Sequence, residues 1–206
     1  MKELTLVIPA KNESESLPLV LKELENFECN RIVVMPKDDF KTKEAIKNFS
    51  CKIIFQDNEG YGSALIQGIN QVKTNFLCIF NADGSFDPND LPEMLKLNLS
   101  NNDFVFASRY KDNGGSDDDT IITLIGNYIF SYVGKIFFNL TISDILFTYV
   151  MGKSNEFKKL NLETFDFGIC VELPIKISFA KKKYVSRASF ERSRIGGEKK
   201  VNAVKD

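Results

Sequence analysis

Five short runs rich in Val, Ile, Leu and Phe, at residues 4–8, 31–35, 52–56, 76–80 and 103–107, are separated by stretches of helical character. Runs of this length and composition read as buried strands, and their alternation with helices predicts an α/β fold with a mostly parallel sheet covered by helices. Ser16 ahead of Pro18, Thr42 ahead of residues 43–48, and Asp87 ahead of Pro88 mark helix starts. In the last of these, Asp87 is the expected cap and Pro88 the first helical residue. Ligands of such sheets collect beyond the carboxyl ends of the strands, so the residues that follow each strand carry the functional information.

At 206 residues the chain is long enough for one good core. Its 27 Lys and Arg against 28 Asp and Glu argue against a nucleic-acid-binding surface. The absence of histidine excludes His-based triads and His-ligated zinc or haem, leaving acid–base and metal chemistry to carboxylates, Lys, Tyr, Cys or the substrate. Cys29, Cys51, Cys78 and Cys170 show no C-x-x-C spacing and read as reduced, buried thiols. The first residues run straight into a strand without signal-peptide features, so a cytoplasmic location is expected. Charge is uneven: residues 181–206 carry nine Lys and Arg against Glu191, Glu198 and Asp206. That basic end suits phosphates, an anionic membrane face, or simply solvent.

Four clusters follow strands or precede helices: residues 9–13 (PAKNE), 57–64 (DNEGYGSA), 81–88 (NADGSFDP) and 108–110 (SRY). Together they predict one cleft containing carboxylates, amides, close-approaching glycine backbone and an arginine. Asp83, just past a buried strand, is the candidate ligand for a hard divalent cation that would neutralise a diphosphate, although Asn-Ala-Asp-Gly also makes a competent turn. No P-loop and no G-x-S-x-G elbow occurs, and Gly60-Tyr61-Gly62 lacks the third glycine of a dinucleotide fingerprint. Residues 120–134 contain no charge but are shorter than the ~20 needed to span a bilayer. They read as a helix that is partly core and partly an apolar wall or interfacial surface.

In chain order, Val7-Ile8-Pro9-Ala10-Lys11-Asn12-Glu13, Glu59-Gly60-Tyr61-Gly62-Ser63-Ala64 with Gly68, and Asn81-Ala82-Asp83-Gly84-Ser85-Phe86-Asp87-Pro88 are followed by Ala107-Ser108-Arg109-Tyr110, Ile142-Ser143-Asp144 and Arg194-Ile195-Gly196-Gly197-Glu198-Lys199-Lys200. This set resembles the inverting family-2 glycosyltransferases of GT-A fold, and within them the dolichol-phosphate mannose synthase-like branch that glycosylates polyprenyl phosphates. The resemblance implies a Rossmann-like GT-A domain with an N-terminal nucleotide-sugar lobe (1–108) and a C-terminal acceptor lobe (109–206). It implies that Pro9, Ala10, Asn12 and Glu13 frame the nucleoside, that Gly60 and Gly62 let the chain pass close to the donor, and that Asp83 carries Mg²⁺ or Mn²⁺. Arg109, Arg192 and Arg194 would meet phosphates of donor or acceptor, or make surface salt bridges. Asp144 would orient or deprotonate the acceptor, or cap the following turn. Two positions depart from the pattern. Asn81 replaces the first Asp of the D-x-D pair, retaining hydrogen bonding but no charge, and Met35-Pro36-Lys37 stands where a D-[DN]-G helps seat the base, with Asp38 and Asp39 nearby.

The implied activity is metal-dependent transfer of a sugar from a nucleotide-sugar to a polyprenyl-phosphate-like acceptor, with peripheral contact at the cytoplasmic face of the membrane. The alternatives are transfer to a sugar hydroxyl of a glycan or glycolipid, and a non-catalytic relative with a decayed donor site. A lipid phosphate is already an anion at neutral pH and needs no strong base, which suits a chain without histidine; a hydroxyl would need one, and Asp144 is then the candidate.

Overall fold

The computed structural model describes residues 1–119 and 121–196, the latter range without the side chains of 121–123. The five expected strands are present as β1 (Leu4–Pro9), β2 (Asn30–Met35), β3 (Lys52–Phe55), β4 (Phe76–Ile79) and β5 (Phe104–Ser108). Four further strands are β6 (Gly115–Ser116), β7 (Val150–Lys153), β8 (Tyr184–Ala188) and β9 (Phe190–Glu191). Seven of them form one sheet in the order β3-β2-β1-β4-β7-β5-β8, while β6 and β9 pair separately. Only β7 runs antiparallel to its neighbours in the large sheet; the other pairings are parallel. The α/β, mostly parallel architecture is therefore as expected.

Helices α1 (Ser16–Leu24), α2 (Phe40–Ala45), α3 (Tyr61–Gln71), α4 (Leu91–Leu99), α5 (Ile121–Phe138), α6 (Ser154–Lys159) and α7 (Ile169–Phe179) complete the fold. Alternation along β1 sends Leu6 and Ile8 into a core with Leu17 and Leu21 of α1 and Met94 of α4. Val7 points the other way, into a core with Leu65 and Ile69 of α3 and Ile177 of α7. Each fully buried aliphatic side chain of this kind contributes ~1.5–3 kcal/mol. Gly68 permits the close approach of α3 to β1, since a Cβ there would lie 2.4 Å from Val7 Cγ1.

Two helix starts differ in detail from expectation. The α2 cap is Asp39, whose carboxylate accepts from Thr42 N, and Thr42 itself lies inside the helix with its hydroxyl accepting from Glu13 N at 2.9 Å. Asp87 caps a 3₁₀ turn over Pro88–Asp90, and α4 begins only after it. All four cysteines are free, but Cys29, Cys51 and Cys170 are only partly buried and Cys78 alone is fully so.

The long apolar stretch became α5, and its outer face is the greasy one. Asn127, Ser131 and Gly134, spaced to share a helix face, turn towards the domain: Asn127 Oδ1 accepts from Leu146 N and Ser131 Oγ from Ile145 N, while Gly134 packs on Leu140. Ile125, Tyr128, Ile129, Tyr132, Ile136 and Phe137 are exposed. Thr120, the first residue of the expected segment, lies outside the described residues. Among the described residues no helix is long and apolar enough to cross a membrane.

Candidate active site

The connections after β1, β2, β4 and β5 open into one cleft of about 760 Å³. Pro9, Ala10, Asn12, Glu13, Gly60, Asn81, Asp83, Arg109 and Arg194 line it; Gly62, Asp144 and Arg192 do not. At the β1 end, Asn12 adopts a left-handed φ of 56°. Its backbone N–H donates to Asp39 Oδ2 at 2.7 Å, so the same carboxylate that caps α2 also shapes the loop after β1. Asp39 is thereby committed to scaffold. Asp38, Lys37 and Pro36 face the cleft, whereas Met35 is fully buried. Glu13 accepts from Ser16 Oγ at 2.5 Å and so anchors the start of α1.

Gly60 and Gly62 have a packing reason for being glycine beside the expected one. A Cβ on Gly60 would lie 2.1 Å from the Phe165 carbonyl oxygen, and one on Gly62 would lie 2.1 Å from that of Thr164. Gly60 also has a φ of 109°. The backbone of residues 164–166 occupies the space, with Ser63 N donating to Phe165 O at 3.0 Å. This packing is by itself enough to exclude side chains there. Glu172 on α7 holds the same loop by accepting from Glu163 N and Thr164 N, each at 2.9 Å. Phe167 stacks on Tyr61, ring centroids 4.9 Å apart, to form one cleft wall.

Asp83 lies on the loop after β4. Its Oδ1 accepts from Ser85 N at 3.0 Å, and its Oδ2 is 3.6 Å from Arg194 Nη1. Asn81 Nδ2 donates to Ser85 Oγ at 3.3 Å. Among the described residues no three acidic or cysteine side chains form a ready-made cation site. One carboxylate beside a substrate diphosphate nonetheless fits Mg²⁺-type binding, in which one or two protein carboxylates, phosphate oxygens and water share the ion.

Arg109, on the loop after β5, is braced on all sides. Nε and Nη2 donate to Asp144 Oδ2 and Oδ1, each at 2.8 Å, Nη1 donates to Glu191 Oε2 at 3.0 Å, and the guanidinium lies 4.9 Å from the Phe147 ring. Burial works against its charge, but Asp144 and Glu191 outweigh that and hold its pKa above the ordinary arginine value. Asp144 is fully buried and also accepts from Arg109 N at 3.0 Å, so in this structure it positions the arginine.

Arg192 is held away from the cleft. It forks onto Glu23 at 2.7 and 2.9 Å and donates to the Gly84 and Phe86 carbonyls. The described part of the basic end is largely paired internally: Lys182 with Glu156, Arg187 with Asp90 and Glu93, Arg194 with Asp118. Gly197, Glu198, Lys199, Lys200 and Lys205 lie outside the described residues.

Glu191, Asp118 and Asp119 also line the cleft, and no motif pointed to them. Glu191 arrives through the pairing of β9 with β6, where Ser116 stands opposite it and donates Oγ to its Oε2 at 2.5 Å. The acidic run 117–119 beside the Gly-Gly turn is the available signal for Asp118 and Asp119, which accept from Arg194 and from the Tyr110 hydroxyl.

Residues 5–160 match the family model described as glycosyl transferase family 2. The chain belongs to that family. Among curated relatives, an uncharacterized glycosyltransferase of Mycobacterium tuberculosis is 32% identical over 91 residues, covering 44% of this chain and 41% of that protein. The undecaprenyl-phosphate 4-deoxy-4-formamido-L-arabinose transferase of Serratia proteamaculans is 30% identical over 123 residues, covering 53% of this chain and 37% of that one. The matches thus span about two fifths of these relatives' lengths. The glucosyl-3-phosphoglycerate synthase of M. tuberculosis, solved with Mn²⁺, UDP and glucosyl-3-phosphoglycerate, superposes with a TM-score of 0.74 at 12% identity, over 95% of this chain and 72% of that one. The mannosyl-3-phosphoglycerate synthase of Rubrobacter xylanophilus gives 0.66 at 16% identity, over 93% and 66%. These similarities establish the GT-A fold.

Proposed function

We propose that the domain transfers a sugar from a nucleotide-sugar to a phosphate-bearing acceptor of polyprenyl-phosphate type, with residues 1–108 serving the donor and 109–206 the acceptor. The observation that carries this is the convergence of Asp83, Arg109 and Arg194 on one cleft at the carboxyl ends of β4 and β5. A divalent cation, Mg²⁺ or Mn²⁺, held by Asp83 would supply Lewis-acid stabilisation of the departing diphosphate. The acceptor oxygen attacks the anomeric carbon in line as the bond from that carbon to the diphosphate oxygen breaks, inverting the centre. Of the five N–H bonds of Arg109, those on Nε, Nη1 and Nη2 named above are committed to Asp144 and Glu191. One on each terminal nitrogen remains for a phosphate.

The exposed apolar face of α5 suits a prenyl chain and the headgroup region of a membrane, and this supports the reading of peripheral contact at the cytoplasmic membrane face. The relative that acts on undecaprenyl phosphate supports this acceptor class. One observation favours a hydroxyl acceptor instead: with Asp144 withdrawn, Glu191 still presents a carboxylate to the cleft, and a hydroxyl would need such a base.

Incubation with a panel of nucleotide-sugars, Mn²⁺ or Mg²⁺, and either a short-chain polyprenyl phosphate or a glycan tests these readings. Transfer to the lipid phosphate, lost in Asp83→Ala and reduced by Tyr128→Glu with donor hydrolysis intact, is expected. Transfer to the glycan alone would select the hydroxyl reading. A wild-type protein that neither binds nor turns over any donor would mark a decayed site.

A further inference from the structure

Arg194 faces the carboxylate that a cation on Asp83 would use. Its Nη1 faces Asp83 Oδ2, the carboxylate oxygen left over once Oδ1 has accepted from Ser85 N, and its Nε donates to Asp118 Oδ2 at 3.0 Å. The guanidinium is delivered by a strap that runs along the Asp83 loop. Arg192 N donates to Ser85 O and Ile195 N to Asp83 O, both at 2.9 Å. Ile195 covers Gly84 so closely that a Cβ there would lie 2.4 Å from Ile195 Cδ1. Because Asn81 carries no charge, Asp83 has no second carboxylate beside it in the 81–83 segment with which to hold both a guanidinium and a metal ion.

We propose that Arg194 is the resident counter-ion of Asp83, and that a divalent cation binds by displacing it. Strap and cation then compete for the same carboxylate oxygen. This deepens the reading of Asp83 as the cation-holding residue and rests on it. Two positive groups cannot share that oxygen without strong repulsion at separations of ~4–5 Å. The released guanidinium is free to meet a diphosphate, so cation and nucleotide each favour the strap-displaced state and each strengthens the binding of the other, as reciprocity of linkage requires. A cation alone must displace Arg194 without that help, and binds weakly.

The test is Mn²⁺ binding to the whole chain, followed by the electron paramagnetic resonance of free aquo-Mn²⁺, with and without UDP or GDP. Arg194→Gln removes the competitor. Ile195→Ala loosens the strap without altering any charge, and guards against a misfolded first variant. In the absence of nucleotide, Arg194→Gln is expected to bind Mn²⁺ about tenfold more tightly than wild type, and Ile195→Ala about two- to threefold. The nucleoside diphosphate should tighten Mn²⁺ binding markedly in wild type and much less in Arg194→Gln. Should wild type bind Mn²⁺ with nucleotide while both variants match it without, the competition is refuted and Asp83 keeps its role. Should Mn²⁺ fail to bind any of the three proteins even with nucleotide, the cation role of Asp83 falls and takes this inference with it.

Discussion

Replacing Asp144 by Asn tests the electrostatic heart of the cleft. The carboxylate is completely buried, the Arg109 side chain is 11% exposed, and the pair is joined by two bonds of 2.8 Å with a third from the Arg109 backbone. Asparagine keeps the shape but removes the charge, and its amide NH₂ meets a guanidinium that can only donate. Removing one partner of a buried ion pair costs ~3–5 kcal/mol. Glu191, 3.0 Å from Nη1, still compensates part of the arginine's charge, so the lower end, ~3 kcal/mol, is expected. For a domain of this size that lowers Tm by ~6–12 °C. Urea titration followed by far-ultraviolet circular dichroism should show a lower midpoint at unchanged slope. In a double-mutant cycle, Arg109→Met combined with Asp144→Asn should be destabilised by about 2 kcal/mol less than the sum of the single changes, since no buried charge is then orphaned. An Asp144→Asn protein within about 1 kcal/mol of wild type, or an additive cycle, would refute the reasoning.

Gly62→Ala should cost ~1–3 kcal/mol. Its Cβ would meet only backbone, at 2.1 Å from the Thr164 and 2.8 Å from the Asp166 carbonyl oxygen, so the 164–166 loop must move; a urea midpoint equal to wild type would show that the loop does not depend on this contact. Glu172→Gln probes acid stability. Burial raises the Glu172 carboxyl pKa, but bonds from Lys176, Thr164 and Glu163 outweigh it and hold it below the ordinary 4.5. The unfolded chain is therefore protonated first as pH falls, and the contribution to stability is complete above about 4.5 and lost as pH drops through the folded value. Between pH 6 and 3 the urea midpoint of Glu172→Gln should fall less steeply than that of wild type, and parallel curves would remove Glu172 from the acid transition.

The parallel half of the sheet was legible because each strand is a dense apolar run bounded by turn residues, and because ligand-facing loops must follow such strands. β7 was not, because residues 150–153 are a four-residue strand at the end of an apolar stretch without alternation, and its place between β4 and β5 is a tertiary fact. The cleft residues near β1, β4 and β5 were legible for the same topological reason as their strands. For Arg192 the sequence leaves a phosphate and a salt bridge open, because it shows a charge but not its partner; Glu23, which claims it, is 169 residues away. For Gly60 and Gly62 a missing Cβ reports close approach without saying by what, and the 164–166 backbone is the neighbour the structure shows. Glu191 escaped notice because nothing local marks it: a two-residue pairing of β9 with β6 brings it beside Arg109.

The assembled cleft has a charge balance that no single motif reveals. Among the described residues eight carboxylates line it, from Glu13, Asp38, Asp57, Glu59, Asp83, Asp118, Asp119 and Glu191, against Lys11, Lys37, Arg109 and Arg194. Both arginines are already engaged by carboxylates, so neither acts as an idle anion trap. A diphosphate bearing two or more negative charges would enter against a net negative field, an opposition of roughly 1–3 kcal/mol at ~10 Å before and after screening by physiological salt. The same diphosphate complexed with a divalent cation is close to neutral and meets no such opposition. On the proposed donor role, the acidic surplus of the described lining would favour the metal complex of the donor over the free nucleotide. Under the proposed function, the ion that Asp83 would share would then arrive with the substrate, and one carboxylate beside Asn81 would suffice to hold it.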